Sequence, residues 1–182
     1  MKKIVAASIM AMALVTGASA DVKVGLGYTF TDGLIPGVDA EYVVQPANIR
    51  VPIDFDSGLR LEPELAYGVS SNETVDGLDE YEKMTIAFGV YQNVWKVEKV
   101  NFYAGGRLAI SKEKKWISAG GTTVTTTTDN TSLQGLFGAE YMFTQDFSFG
   151  AQVGLEYQAG TTGDLDTDSF GTVSHLLIHY FF

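Results

Sequence analysis

The sequence predicts an all-β fold: an eight-stranded antiparallel up-and-down transmembrane β-barrel, preceded by a cleaved signal peptide. Three observations carry that expectation. First, the residues from Val173 to Phe182 alternate, with Leu176, Ile178, Tyr180 and Phe182 forming an apolar row that ends on aromatics. A period of two marks a strand with one oily face, and a terminal exposed aromatic suits a lipid-facing girdle at the water interface. Second, the same alternation recurs along the rest of the chain. Third, tight turns and long connections follow one another in sequence, as they do when the two ends of a barrel differ.

In chain order, residues 1–20 read as an export signal. Lys2 and Lys3 supply the positive start, Ile4 to Val15 an apolar stretch broken by Ser8, and Ala18-Ser19-Ala20 a small-residue cleavage site before Asp21. An uncleaved membrane anchor is the competing reading, but the stretch is short for a spanning helix. The barrel domain is therefore expected to occupy residues 21–182. Its first strand holds Val22, Val24, Leu26, Tyr28 and Phe30 on one face. The second holds Ile49, Val51 and Ile53; residues 38–45 also alternate and compete for that place. Further rows are Leu59, Leu61, Leu65 and Tyr67; Met84, Ile86, Phe88 and Val90; Val100, Phe102, Ala104, Leu108 and Ile110. Then come Leu133, Phe137, Ala139, Tyr141 and Phe143; Phe147, Phe149, Ala151, Val153, Leu155 and Tyr157; and finally the closing strand, expected beside Val22, Val24, Leu26 and Tyr28.

Tight turns are expected around Asp56-Ser57-Gly58, Lys96 to Glu98 and Thr144-Gln145-Asp146, and long loops over residues 31–47, 70–82, 111–131 and 160–171. Short turns belong at the periplasmic end and long loops outside. Within the third loop, the threonine run from Thr122 to Thr128 has the β-propensity to extend its strands as a hairpin. With Gly58 left-handed, the second and third strands should place Ile53 opposite Leu61, Asp54 opposite Arg60 and Arg50 opposite Glu64. These pairs favour residues 48–54 over 38–45 as strand two. Pro52 and Pro63 lack a ladder donor, so bulges or frayed pairing are expected there.

At 182 residues the chain suits one domain; no apolar run after the signal could span as a helix, which leaves the closed barrel as the membrane alternative. A soluble barrel that buries its apolar row is the competing fold. Aromatics at strand ends (Tyr141, Phe143, Phe147, Phe149, Tyr180, Phe182) and polar rows mixing Gly and Ala with Arg and Glu favour lipid outside. The net charge of −10 argues against a nucleic-acid partner, and the absence of cysteine excludes disulfides and thiol chemistry.

With its signal, alternating segments and terminal Tyr180-Phe181-Phe182, the chain resembles the small outer-membrane barrels related to OmpA and OmpX. The segment Arg60-Leu61-Glu62-Pro63-Glu64-Leu65-Ala66-Tyr67-Gly68 is similar to the strand-three pattern of the outer-membrane β-barrel domain family. The resemblance covers residues 21–182. It implies a Gram-negative outer membrane, contact with lipid and lipopolysaccharide, and Phe182 read by the barrel-assembly machinery. A non-enzymatic structural or surface-interaction protein, monomeric and without cofactor, is expected; a narrow channel for ions or small solutes and a lipid-modifying enzyme are the alternatives.

The inward charges Arg50, Asp54, Arg60, Glu62, Glu64, Arg107, Glu140 and Glu156 form the leading constellation. In a narrow lumen such groups must pair, which suggests a salt-bridge plug; a gated pore or proton path is the functional alternative. His175 and His179 share a face but lie roughly 13 Å apart along a strand, too far to chelate one metal. Glu62 and Glu64 have a spacing compatible with paired acid chemistry, yet Arg60 and Arg50 favour ion pairing. Ser174 faces away from His175, which spoils a nucleophile-base pair. Lys112, Lys114 and Lys115, beside Trp116, are expected near lipopolysaccharide phosphates.

Overall fold

The computed structural model describes residues 22–31, 47–74, 77–119, 122–163 and 165–182. The signal at 1–20 and the competing strand at 38–45 lie outside them. The elements are β1 (Val22–Thr31), β2 (Ala47–Arg50), β3 (Ile53–Phe55), β4 (Leu59–Thr74), β5 (Gly77–Val97), β6 (Val100–Ala119), β7 (Thr122–Met142), β8 (Phe147–Thr162) and β9 (Leu165–Phe181). β2 and β3 are two halves of one stave, each pairing with β1 on one side and β4 on the other. From there every strand pairs antiparallel with its sequence neighbour, and β1 pairs with β9 to close the ring. The result is an up-and-down barrel of eight staves, in which every strand turns one row of its alternation to the lumen and the other outward.

Closure brings Leu26 opposite Tyr180, Tyr28 opposite Ile178 and Phe30 opposite Leu176, while the Phe182 amide donates to the Val24 carbonyl (2.9 Å). The two apolar rows meet in phase, offset so that Phe30 rather than Val22 lies at the far end of the seam. The hairpin between the second and third staves has the expected register: Ile53 opposite Leu61, Asp54 opposite Arg60, Arg50 opposite Glu64. Gly58 takes a left-handed φ of 80°, and its amide bonds the Phe55 carbonyl at 2.8 Å.

Four expectations need correction. Residues expected in long loops over 70–82 and 160–171 instead continue the ladders, with Thr74 opposite Gly77 and Thr162 opposite Leu165. The β6–β7 hairpin likewise runs to Ala119 opposite Thr122, as the threonine run suggested. From Leu165 to Thr172 both faces of the strand are exposed, so no apolar alternation announces it; the register set lower down simply propagates. The β5–β6 turn sits at Glu98-Lys99, not at Lys96 to Glu98, and a register shift between Asn93 and Trp95 precedes it. Glu98 adopts φ 49° to make the turn. At Pro52 the ladder is interrupted, the frayed pairing expected there, while at Pro63 it continues opposite Phe88; neither proline introduces a bulge. Gly25 donates to the Pro52 carbonyl and Val51 to the Pro63 carbonyl, both at 2.9 Å, and neither proline can return the bond. Each pair thus keeps one of its two bonds, and the register is the same on both sides of the gap.

The apolar rows face outward. Ile86, Phe88, Leu108, Leu133, Phe137 and Val153 are exposed on the wall, whereas Arg50, Arg60, Glu62 and Glu140 are buried inside. At the turn end aromatics associate laterally: Trp95 stacks on Phe102 (5.4 Å between ring centres), Tyr141 meets Phe143 edge-on, and Tyr180 meets Phe182. Such rings belong at the boundary between hydrocarbon and headgroups.

Inside, glycine makes room for rings. A Cβ on Gly138 would lie 2.5 Å from the Tyr103 ring, and one on Gly27 would lie 2.3 Å from the His179 ring. Gly138→Val is therefore expected to destabilise the barrel by about 1–3 kcal/mol through overpacking. Gly135→Val, where an added Cβ meets nothing within 4 Å, should not. Urea unfolding midpoints in detergent micelles measure the difference; equal midpoints would remove this account of the interior.

Candidate functional site

The candidate site is the interior itself. Alternation places Arg50 of β2, Asp54 of β3, Arg60, Glu62 and Glu64 of β4, Arg107 of β6, Glu140 of β7 and Glu156 of β8 on inward rows. Arg50, wholly buried, donates from Nη1 to Glu62 (2.5 Å) and lies 3.1 Å through Nε from Glu64. Arg60 makes a fork with Asp54 (2.5 and 2.9 Å) and reaches Glu140 at 2.7 Å. Arg107 forks onto Glu64 (3.0 and 2.7 Å), so that Glu64 serves two guanidinium groups. Glu156 is half-buried and accepts from Gln134 Nε2 at 2.7 Å rather than from an arginine.

Two of these contacts cross the lumen. β4 and β7 are three staves apart, yet Arg60 joins them; Arg50 on β2 approaches Gln152 on β8 at 3.5 Å, three staves away by the other route. The Arg60 guanidinium also lies over the rings of Tyr103 (5.6 Å) and Phe181 (5.7 Å). A charge removed from water costs several kcal/mol unless paired and hydrogen-bonded, and bidentate arginine-carboxylate geometry answers that cost directly. Below the network a cavity of about 610 Å³ opens at the turn end, with Lys23, Asp54, Lys96, Asn101 and Phe181 among its walls.

The two histidines are both buried on the inward face of β9. His179 Nδ1 lies 2.7 Å from Glu140 Oε1, and the Ser148 hydroxyl donates to the same oxygen at 2.5 Å. His175 Nε2 is 3.4 Å from Gln134 Oε1. Among the described residues no three metal-binding side chains converge. Ser174 is exposed on the outer face while its neighbour His175 points inward. Ser148, Gln134, Gln152, Tyr91 and Tyr103 also lie in the interior and were not singled out from sequence. Each sits on the inward row of its strand, so extending the rows to uncharged polar residues would have found them.

On the outer wall, the row Leu108, Ile110, Lys112, Lys114 and Trp116 climbs β6 beyond the apolar belt. Lys115 lies on the opposite face, so the lysine run is divided between the two sides of the strand rather than forming one patch. Lys112 pairs with Asp129 of β7 at 3.2 Å. At the outer margin of the belt stand Tyr28, Phe30, Tyr67, Tyr157 and Phe170, all exposed; the turn-end girdle holds Tyr141, Phe143, Phe147, Phe149, Tyr180 and Phe182.

Comparison with known proteins bears on this geometry. Residues 4–173 match the family model described as the outer membrane protein beta-barrel domain. No curated protein matches the chain. Among solved structures, a major outer membrane protein from Thermus thermophilus is 12% identical, with a TM-score of 0.53 over 91% of this chain and 100% of the other. Ail, the attachment invasion locus protein of Yersinia pestis, is 17% identical, with a TM-score of 0.48 over 89% and 97%. Neisserial surface protein A is 13% identical, with a TM-score of 0.46 over 86% and 94%. At 12% identity the likeness to the Thermus thermophilus protein is one of fold. The family match spans nearly the whole barrel, and with the outward apolar wall and the closed ring it leads to one conclusion: the chain belongs to the outer membrane protein beta-barrel domain family and is an outer-membrane β-barrel protein.

Proposed function

We propose that the protein is a non-enzymatic barrel of the Gram-negative outer membrane, with a structural or surface-interaction role and an interior closed by its ion pairs. The observation that carries this reading is the pair of braces across the lumen, Arg60 to Glu140 and Arg50 to Gln152. An eight-stave ring encloses a space that side chains nearly fill, and these two contacts cross what is left of it, which favours an interior closed to hydrated ions. The turn end faces the periplasm and the extended hairpins face outward. Export proceeds through the signal at 1–20, and Phe182 is read by the barrel-assembly machinery as the barrel inserts as a monomer.

The arrangement of Ser148, Glu140 and His179 supports the non-enzymatic reading. Ser148 donates to the Glu140 carboxylate, which Arg60 also holds, rather than to the imidazole, so serine and histidine do not form the hydrogen-bonded pair of an activated nucleophile. Lipid is the medium of the outer wall. Lipopolysaccharide phosphates are the proposed contact of Lys112 and Lys114, which lie on the outward row just above Ile110.

The closed interior is tested by planar-bilayer recording of refolded protein, where an absence of discrete openings is expected and steady single-channel steps would establish the narrow channel instead. Replacing Arg60 with Ala leaves Asp54 and Glu140 without their shared guanidinium; the expected cost is about 3–5 kcal/mol, read as a lowered urea midpoint. For the outer wall, Lys112→Gln with Lys114→Gln should weaken lipopolysaccharide binding while Lys115→Gln leaves it unchanged. Equal effects at all three positions would contradict the division of the run. Mass spectrometry of lipid A with and without the protein checks the enzymatic alternative, and identical spectra are expected.

A further inference from the structure

The cavity of about 610 Å³ at the turn end carries charges of both signs that the interior network does not use. Its walls include Lys23, Lys96 and Lys99 together with Asp54, Asp56 and Glu98. Asp54 is committed, because both its oxygens accept from Arg60. The other five side chains make no ion pair or side-chain hydrogen bond among the described residues. Cations and anions thus surround one space without neutralising one another.

The backbone aims two of the cations inward. Lys23 belongs to the lumenal row of β1 with Gly25, Gly27 and Thr29, and it lies opposite Asp54. Lys96 reaches the lumen through the register shift between Asn93 and Trp95. Counted by twos from Phe88 and Val90, Lys96 would face outward among the headgroups, where a lysine is readily solvated. After the shift, Trp95 stands outward against Phe102, and Lys96 lies opposite Asn101. Asn101 is on the inward row, opposite Glu140 of β7. Re-aiming a side chain in this way is a recurrent use of a β-bulge. Asp56 and Glu98 occupy the β3–β4 and β5–β6 turns, nearer the mouth than the two lysines.

We propose that this cavity binds a zwitterionic solute of short-peptide size, with its carboxylate held by Lys23 and Lys96 and its amine by Asp56 and Glu98. A ligand of one sign would satisfy one set and meet repulsion from the other, whereas a zwitterion supplies both missing partners. The amide side chains of Asn101 and Gln145, also in the wall, each offer a donor and an acceptor to a peptide group. Met142 and Phe181 give apolar contact to the stem between the two charges. The volume lies within the range of about 300–1,000 Å³ common to small-ligand sites. Binding makes and breaks no covalent bond. It takes place at the turn-end side of the Arg60 network and is independent of whether the lumen conducts.

The test is an NMR titration of the refolded protein in nonionic micelles with three probes. Trialanine carries both charges, N-acetyl-trialanine only the carboxylate, and trialanine amide only the amine. Trialanine should bind saturably and several-fold more tightly than either capped form, and its affinity should fall as salt is added. The double variant Lys23→Gln with Lys96→Gln should remove the advantage of trialanine over its amide. Asp56→Asn with Glu98→Gln should remove its advantage over the acetylated form. None of the four residues pairs with Arg60, and heat-modifiable gel migration checks that both variants fold. Absence of saturable shifts with trialanine would overturn the site. Equal affinity for the three probes would overturn its zwitterion preference, and folded double variants that bind like the parent would overturn the assigned residues.

Discussion

Inside the hydrocarbon of a bilayer no water is at hand for the peptide groups, and each unpaired N–H or C=O costs several kcal/mol. A sheet can exist there only without edges. Everything else in this molecule follows from that constraint. β1 must meet β9, the staves must stay in continuous register, and side chains must divide into an outer row for lipid and an inner row for the lumen. Because the ring is narrow, the inner row must also fill it. Charges turned inward have nowhere to go except to one another, and the arginine forks are the result.

The interior solves two packing problems with different means. Formal charges are paired locally, with Asp54 and Glu140 around Arg60 and with Glu62 and Glu64 around Arg50. Volume is distributed by pairing large against absent side chains, as where Tyr103 lies over Gly138 and His179 over Gly27. Arg60 belongs to both schemes, since its guanidinium is an ion-pair partner and a plate between the rings of Tyr103 and Phe181.

Much of the wall was legible in the sequence wherever its two faces meet different media. The rows from Leu26 to Phe30 and from Leu176 to Phe182 alternate because one face meets lipid and the other the lumen. Register was legible at the second hairpin because Arg50 and Glu64, and Asp54 and Arg60, had to find each other. Legibility failed where the media on the two faces become the same: above the bilayer, from Leu165 to Thr172, the strand continues with water on both sides. It failed again at Val94, where one extra residue reverses the phase without any change in composition. Inside the lumen, charge revealed Arg50, Arg60 and Glu140, but Ser148, Gln134 and Gln152 carry no such signature and needed the geometry to bring them into the network.

The two prolines make the wall uneven. Gly25 and Val51 each hold a neighbouring stave by one bond where their counterparts elsewhere hold by two, and the missing bonds lie side by side on the same short stave. Local stability in a ladder follows the density of its bonds. The ring therefore has a designated hinge line, close to the β1–β9 junction where the chain's two ends were joined. A cylinder weakened along one line yields there first under load. Opening of this barrel is expected to begin beside its own seam, with the long hairpins from β4 to β9 separating last.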